Sequence, residues 1–157
     1  MSTRHRSAAG FTLIEMLVAL VVLSIGLLGA AKLFVVTLQG NASATSRLMA
    51  VSLAGDLTDR IRANRNAGAA YAGAATNNNC AGGAIGAVTC TAAQMAANDL
   101  FLWNAQVAAT WPGDIASGTV TYVAPVSANL PATYTITINW QEQGTAQMLA
   151  YALNVQI

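Results

Sequence analysis

The chain has 157 residues, of which 55% are hydrophobic and only 8% charged, with a net charge of +1. Much of the apolar count is alanine and aromatics make up 6%, so one modest core behind any anchor is expected, not two. Outside the first ten residues and the segment Arg60-Ile61-Arg62-Ala63-Asn64-Arg65 there is no basic patch, which leaves nucleic-acid binding without support.

The N-terminal stretch carries the densest signal. A short polar leader, residues 1–10, holds Arg4, His5 and Arg6, and Met16 to Ala31 contains no charge. Lys32 is the one charge between Glu15 and Arg47. A basic leader followed by a run long enough for a hydrocarbon core predicts a membrane-inserted helix over residues 11–38. Arg4 and Arg6 set its topology, holding the first end in the cytoplasm and sending the rest outward. Glu15 does not fit a plain anchor. A carboxylate one turn into an apolar run costs several kcal/mol unless paired, which makes it a candidate functional residue.

Gly10-Phe11-Thr12-Leu13-Ile14-Glu15, between a basic leader and an apolar helix, resembles the class III signal of type IV pilins and pseudopilins. The resemblance implies that a prepilin peptidase cuts between Gly10 and Phe11 and methylates the new Phe11 amine, giving N-methylphenylalanine. It also implies that Phe11 and Glu15 dock the subunit among its neighbours, the Phe11 amine of one subunit meeting the buried Glu15 carboxylate of another. Two other readings of the stretch stay open. Gly29-Ala30-Ala31 can pass for an ordinary signal cleavage site, although Glu15 interrupts the apolar region such a signal needs, and the helix can be an unprocessed anchor.

Beyond the span, helical spacing without proline continues to Asn64, giving a second helix half over residues 39–65. Gly26, Gly29 and Gly40 would soften it. Val51 and the row Leu53, Leu57, Ile61 form an apolar stripe expected to pack on the C-terminal domain. Asp56–Arg60 and Asp59–Arg62 pair on the exposed face, and Gly68 is the expected stop. Residues 66–88, rich in Ala, Gly, Asn and Thr, read as an irregular, mobile surface loop. Cys80 and Cys90 lie within and just after it. On the outward side of the membrane these two thiols predict a structural disulfide, and their spacing is not that of a redox motif.

Thr91-Ala92-Ala93-Gln94 fits a capping box and predicts a short second helix from about Ala92 to Thr110. Its apolar face comprises Met95, Ala96, Leu100, Trp103 and Val107, with Asp99, Asn104 and Gln106 facing water. Trp111-Pro112-Gly113-Asp114 ends it. Three strands follow by alternation: Gly118 to Ala124, Thr133 to Trp140, and Leu149 to Ile157 after a turn at Glu142-Gln143-Gly144-Thr145. Short connections make them an antiparallel meander whose last strand leaves an edge open to a partner strand. The fold class is therefore α+β: a long N-terminal helix, transmembrane in its first half, packed on a small meander, with a second short helix. Residues 66–157 form the globular domain.

No catalytic constellation is found. The one histidine is His5 in the leader, which excludes Ser-His-Asp and Cys-His sites elsewhere. Asp56, Asp59, Asp99, Asp114 and Glu142 are scattered, and the glycines Gly82, Gly83 and Gly86 form no phosphate loop. No enzyme activity, cofactor, metal site or small-molecule ligand is predicted. Gly26-Leu27-Leu28-Gly29-Ala30, the run Ser52 to Arg65, Ala67-Gly68 with Tyr71, and Asp99-Leu100-Phe101-Leu102-Trp103 are similar to the PilV minor pilins, the type IV pilus modification proteins. This implies a structural subunit that helps prime, assemble or modify a pilus (fimbrium), with the prepilin peptidase, other minor and major pilins and the inner membrane as partners and the C-terminal domain in the periplasm. A major pilin usually fastens its disulfide loop at the extreme C-terminus, whereas Cys80 and Cys90 precede the sheet. Two alternatives remain: a type II secretion pseudopilin, or a tethered periplasmic binding module with a pocket among Tyr122, Tyr134 and Trp140.

Overall fold

A computed structural model describes residues 10–80, 89–111, 115–127, 129–142 and 147–157. The described elements run in the order α1 (Leu13–Ala63), a 3-10 helix (Arg65–Ala72), α2 (Ala92–Thr110), β1 (Ser117–Val123), β2 (Thr133–Gln141) and β3 (Met148–Gln156). The chain divides into two compact units, Met1–Ala42 and Ser43–Ile157.

In the first unit α1 is apolar all round, and its large side chains from Leu13 to Leu38 lie exposed. The helix continues through Gly26, Gly29 and Gly40. Its few hydroxyls are satisfied from within: Ser24 donates to the Leu20 carbonyl at 2.7 Å and Thr37 to that of Leu33 at 2.9 Å. Such back-bonding removes the need for water at those side chains.

In the second unit the character of α1 changes. Ala50, Ala54, Leu57, Thr58 and Ile61 are buried, a stripe at i, i+4, i+7, i+8 and i+11 that follows the 3.6-residue period. Leu57 and Ile61 of the predicted row lie fully buried in that stripe and half-buried Leu53 packs against the same core, while Val51 is exposed. The alanines let a large ring approach: Trp103 of α2 is fully buried and its indole N–H donates to the Leu53 carbonyl at 2.9 Å. From the other side Gly118 of β1 lies so close that any Cβ would run into the Trp103 ring.

The three strands form the predicted meander, order β1-β2-β3 and antiparallel throughout. Alternation is preserved. Tyr134, Ile136, Ile138 and Trp140 of β2 point inward, joined by half-buried Val120 and Tyr122 from β1 and Leu149, Tyr151 and Leu153 from β3. Trp140 stacks on Trp111 at 5.3 Å, and Tyr122 tilts against Tyr134 at 5.1 Å. The 3-10 helix runs beside β1, and β3 is the outer strand on the other side of the sheet.

The stretch predicted as an irregular loop needs correction. Residues 65–72 coil into the 3-10 helix, interrupted at Gly68, whose φ of 50° only glycine adopts readily. They deliver Tyr71 into the core, fully buried. Residues 76–80 are then tied along α2: Thr76 N–H donates to the Ala97 carbonyl, and buried Asn98 accepts from the amides of Asn78 at 3.0 Å and Cys80 at 3.4 Å. The capping box of α2 is present in full, Thr91 and Gln94 each accepting the other's backbone N–H. The predicted turn residues Pro112, Gly113, Asp114, Gln143, Gly144 and Thr145 lie outside the described residues, as do Gly82, Gly83 and Gly86.

Asp99, expected to face water, is instead largely enclosed. Its carboxylate accepts the Tyr71 hydroxyl at 2.7 Å and meets Arg60 at 3.5 Å, while Arg60 also pairs with Asp56 at 3.0 Å. Tyr71 in turn donates toward the Arg60 carbonyl at 3.1 Å and accepts from Asn64 at 3.4 Å. This cluster joins α1, the 3-10 helix and α2. Burial, and then the hydrogen bond to Asp99, push the Tyr71 hydroxyl well above the ordinary phenol range. The unfolded chain ionises near its ordinary value of about 10, so stability held by this group is full below about pH 10 and is lost above it. Tyr71→Phe should lower unfolding free energy by about 1.5–3 kcal/mol at neutral pH, as expected for a hydrogen bond to a charged group. Denaturant titrations of the full chain in detergent should show that gap narrowing above about pH 10.

Candidate processing and assembly site

The residues singled out at the N-terminus come together where α1 begins. Phe11 is 78% exposed, and Thr12 occupies the position before the first helical residue, Leu13. The Thr12 hydroxyl accepts the Glu15 N–H at 3.3 Å, and the Thr12 carbonyl accepts the same N–H at 3.1 Å and that of Met16 at 3.3 Å. Thr12 is thus the cap of α1 and Glu15 stands at its third helical position, the Thr-x-x-Glu spacing of a capping box. The sequence reading missed this role of Thr12, although the spacing was there to be read.

A carboxylate in the first turn is favoured by the unpaired N–H groups and the positive end of the helix dipole. That offsets part of the cost of placing Glu15 in an apolar run but leaves it a net anion. Among the described residues no cation lies in ion-pairing range of it; the ion pairs found are Asp56–Arg60, Asp99–Arg60 and Asp59–Arg62. The site therefore consists of an exposed aromatic residue, a preformed cap and a carboxylate with no ion-pair partner among the described residues, all within about one helical turn. Gly10, where the cut is expected, lies exposed just ahead of it. Arg4 and Arg6 lie outside the described residues.

Elsewhere, Cys80 and Cys90 are joined by a disulfide, which sits between the 3-10 helix and α2. Tyr134 and Trp140 are core side chains, and Tyr122 packs on Tyr134, so the ring set suggested for a ligand pocket serves packing. Among the described residues no group of three or more His, Cys, Asp or Glu side chains is arranged to hold a metal ion.

A family model described as the prokaryotic N-terminal methylation motif matches residues 5–31, and a second, described as type IV pilin Tt1218, matches residues 33–101. The first spans Gly10 to Glu15 and most of the apolar run; the second covers the remainder of α1, the 3-10 helix and the first half of α2. The long N-terminal helix with its second helix and small antiparallel three-stranded sheet is consistent with a type IV pilin fold. No curated protein and no solved structure matches the chain. As in a pilin, one helix, α1, is long and apolar enough to cross a membrane, and the chain carries the motif through which prepilins are processed.

The disulfide closes a loop with a sequence separation of 10 residues. Restricting that loop in the unfolded chain is worth about 2–3 kcal/mol by chain-entropy arguments. Replacing both cysteines by serine should lower the denaturant midpoint of the protein accordingly, with circular dichroism confirming that helix and sheet content are kept.

Proposed function

We propose that this protein is a type IV pilin and a minor subunit of the pilus, similar to the PilV minor pilins, that helps prime, assemble or modify the filament. In this reading the prepilin peptidase removes residues 1–10 by cutting after Gly10 and methylates the Phe11 amine. Arg4 and Arg6 hold the leader in the cytoplasm. Residues 11–38 span the inner membrane, 39–65 continue the helix into the periplasm, and 66–157 form the periplasmic domain. The partners are the peptidase, then other minor and major pilins.

The observation that carries the proposal is Glu15. It is a charged side chain at the start of a helix apolar on every face, and no described residue of its own chain neutralises it. A helix of that kind is stable in lipid or in a bundle of like helices, and in either place the carboxylate needs a cation from outside. The Phe11 amine freed by cleavage is four residues away in sequence, so it lies at the same level of the helix in every subunit. A neighbour displaced along the filament brings its amine to that carboxylate.

The position of the disulfide ahead of the sheet supports the minor-pilin reading, because it fastens the segment between α1 and α2 and leaves the end of the chain to pair in β3. Burial of Tyr134 and Trp140 speaks against a tethered ligand-binding module. The reading assigns the protein no catalysis of its own.

Glu15→Gln and Glu15→Ala test the docking role. Removing one partner of a buried pair costs about 3–5 kcal/mol, so the amount recovered in sheared pili should fall by at least about two orders of magnitude. Membrane levels of the precursor and its thermal unfolding should stay unchanged. Unaltered incorporation would overturn the pairing.

A further inference from the structure

We infer that Lys32 binds the phosphodiester of a phospholipid headgroup in the leaflet farther from Glu15, and so fixes the depth of α1 in the bilayer. The inference rests on the membrane-spanning reading given above.

Between Met16 and Leu38 the polar side chains are Ser24, Lys32 and Thr37. Both hydroxyls are satisfied by carbonyls of α1 itself. The Lys32 ammonium has three donors, and no described residue accepts from it. It is the one group on this segment that requires an acceptor from outside the chain.

Spacing places that acceptor. With Glu15 held at one boundary, Lys32 lies 17 residues along the helix, about 25 Å at 1.5 Å per residue. The hydrocarbon core is about 30 Å thick, so the Lys32 backbone sits roughly 5 Å short of the far boundary. The four-carbon stem of lysine spans such a gap and presents its ammonium at the interface. The groups concentrated there, of opposite charge and with two free oxygens each, are the lipid phosphates. The apolar run continues past Lys32 to Leu38, making a segment of about 34 Å from Met16. Hydrophobicity alone would allow it to slide by a turn or to tilt. A cation pinned to phosphate removes that freedom and leaves Leu33 to Leu38 at the outer interface.

Lys32 is the sole lysine of the chain, so nitrogen-15 placed at lysine Nζ reports on one site. The full chain, labelled in this way and reconstituted in phosphatidylethanolamine–phosphatidylglycerol bilayers, should show strong nitrogen-15 to phosphorus-31 dipolar dephasing in solid-state NMR. A cysteine at Ile25, near mid-span, should be protected from a membrane-impermeant maleimide, and one at Gln39 should react. Lys32→Leu should slow labelling at Gln39 several-fold, while Lys32→Arg should leave it unchanged. Protection at Ile25 without dephasing would overturn the inference alone. Free labelling at Ile25 would overturn the membrane-spanning reading together with it.

Discussion

The feature on which the molecule depends is the change of environment along one helix. From Leu13 to Leu38, α1 presents apolar side chains in every direction; from Ala50 to Ile61 it presents a single stripe of small and branched residues. A helix of the first kind has to be covered by lipid or other helices, and one of the second kind by its own domain. Each half therefore dictates a different partner. The second unit answers with Trp103, fully buried in one core with Ala50 and Ala54, whose N–H is satisfied by the Leu53 carbonyl. Gly118 is then required, because no side chain fits between β1 and that ring.

Polar groups are handled according to the same division. In the apolar half, Ser24 and Thr37 bond back to their own helix, and the helix start is closed by Thr12. What remains is charge, one anion at Glu15 and one cation at Lys32, and no described residue forms an ion pair with either. In the domain, by contrast, charge is consumed internally: Arg60 joins Asp56 to Asp99, and Asp99 holds Tyr71.

Much of the fold was legible in the sequence, because its signals are strictly periodic. The alternation Tyr134, Ile136, Ile138, Trp140 fixed β2, and the Thr91–Gln94 spacing fixed the start of α2. What escaped depended on contacts remote in sequence. Nothing local marks Tyr71 for burial within an alanine- and glycine-rich stretch; it is buried because Asp99, 28 positions away, accepts its hydroxyl. Asp99 was assigned to solvent for the same reason, since helical phase placed it near the polar face without revealing Arg60 opposite. The stripe of α1 was legible in Leu53, Leu57 and Ile61, but Ala50 and Ala54 were passed over because alanines carry little weight beside leucines in a hydrophobic pattern. At the N-terminus, Glu15 stood out as a carboxylate in an apolar run and Phe11 through the resemblance to pilin signals, whereas Thr12 was passed over although its cap determines where the helix begins.

The central claim is that the chain is cut after Gly10 and methylated on Phe11. Intact mass and N-terminal fragmentation of the protein recovered from membranes of a piliated host test it directly. The account predicts a mature chain of residues 11–157 whose first residue is N-methylphenylalanine. A chain still beginning at Met1 or Ser2, or one beginning at Lys32, would contradict it.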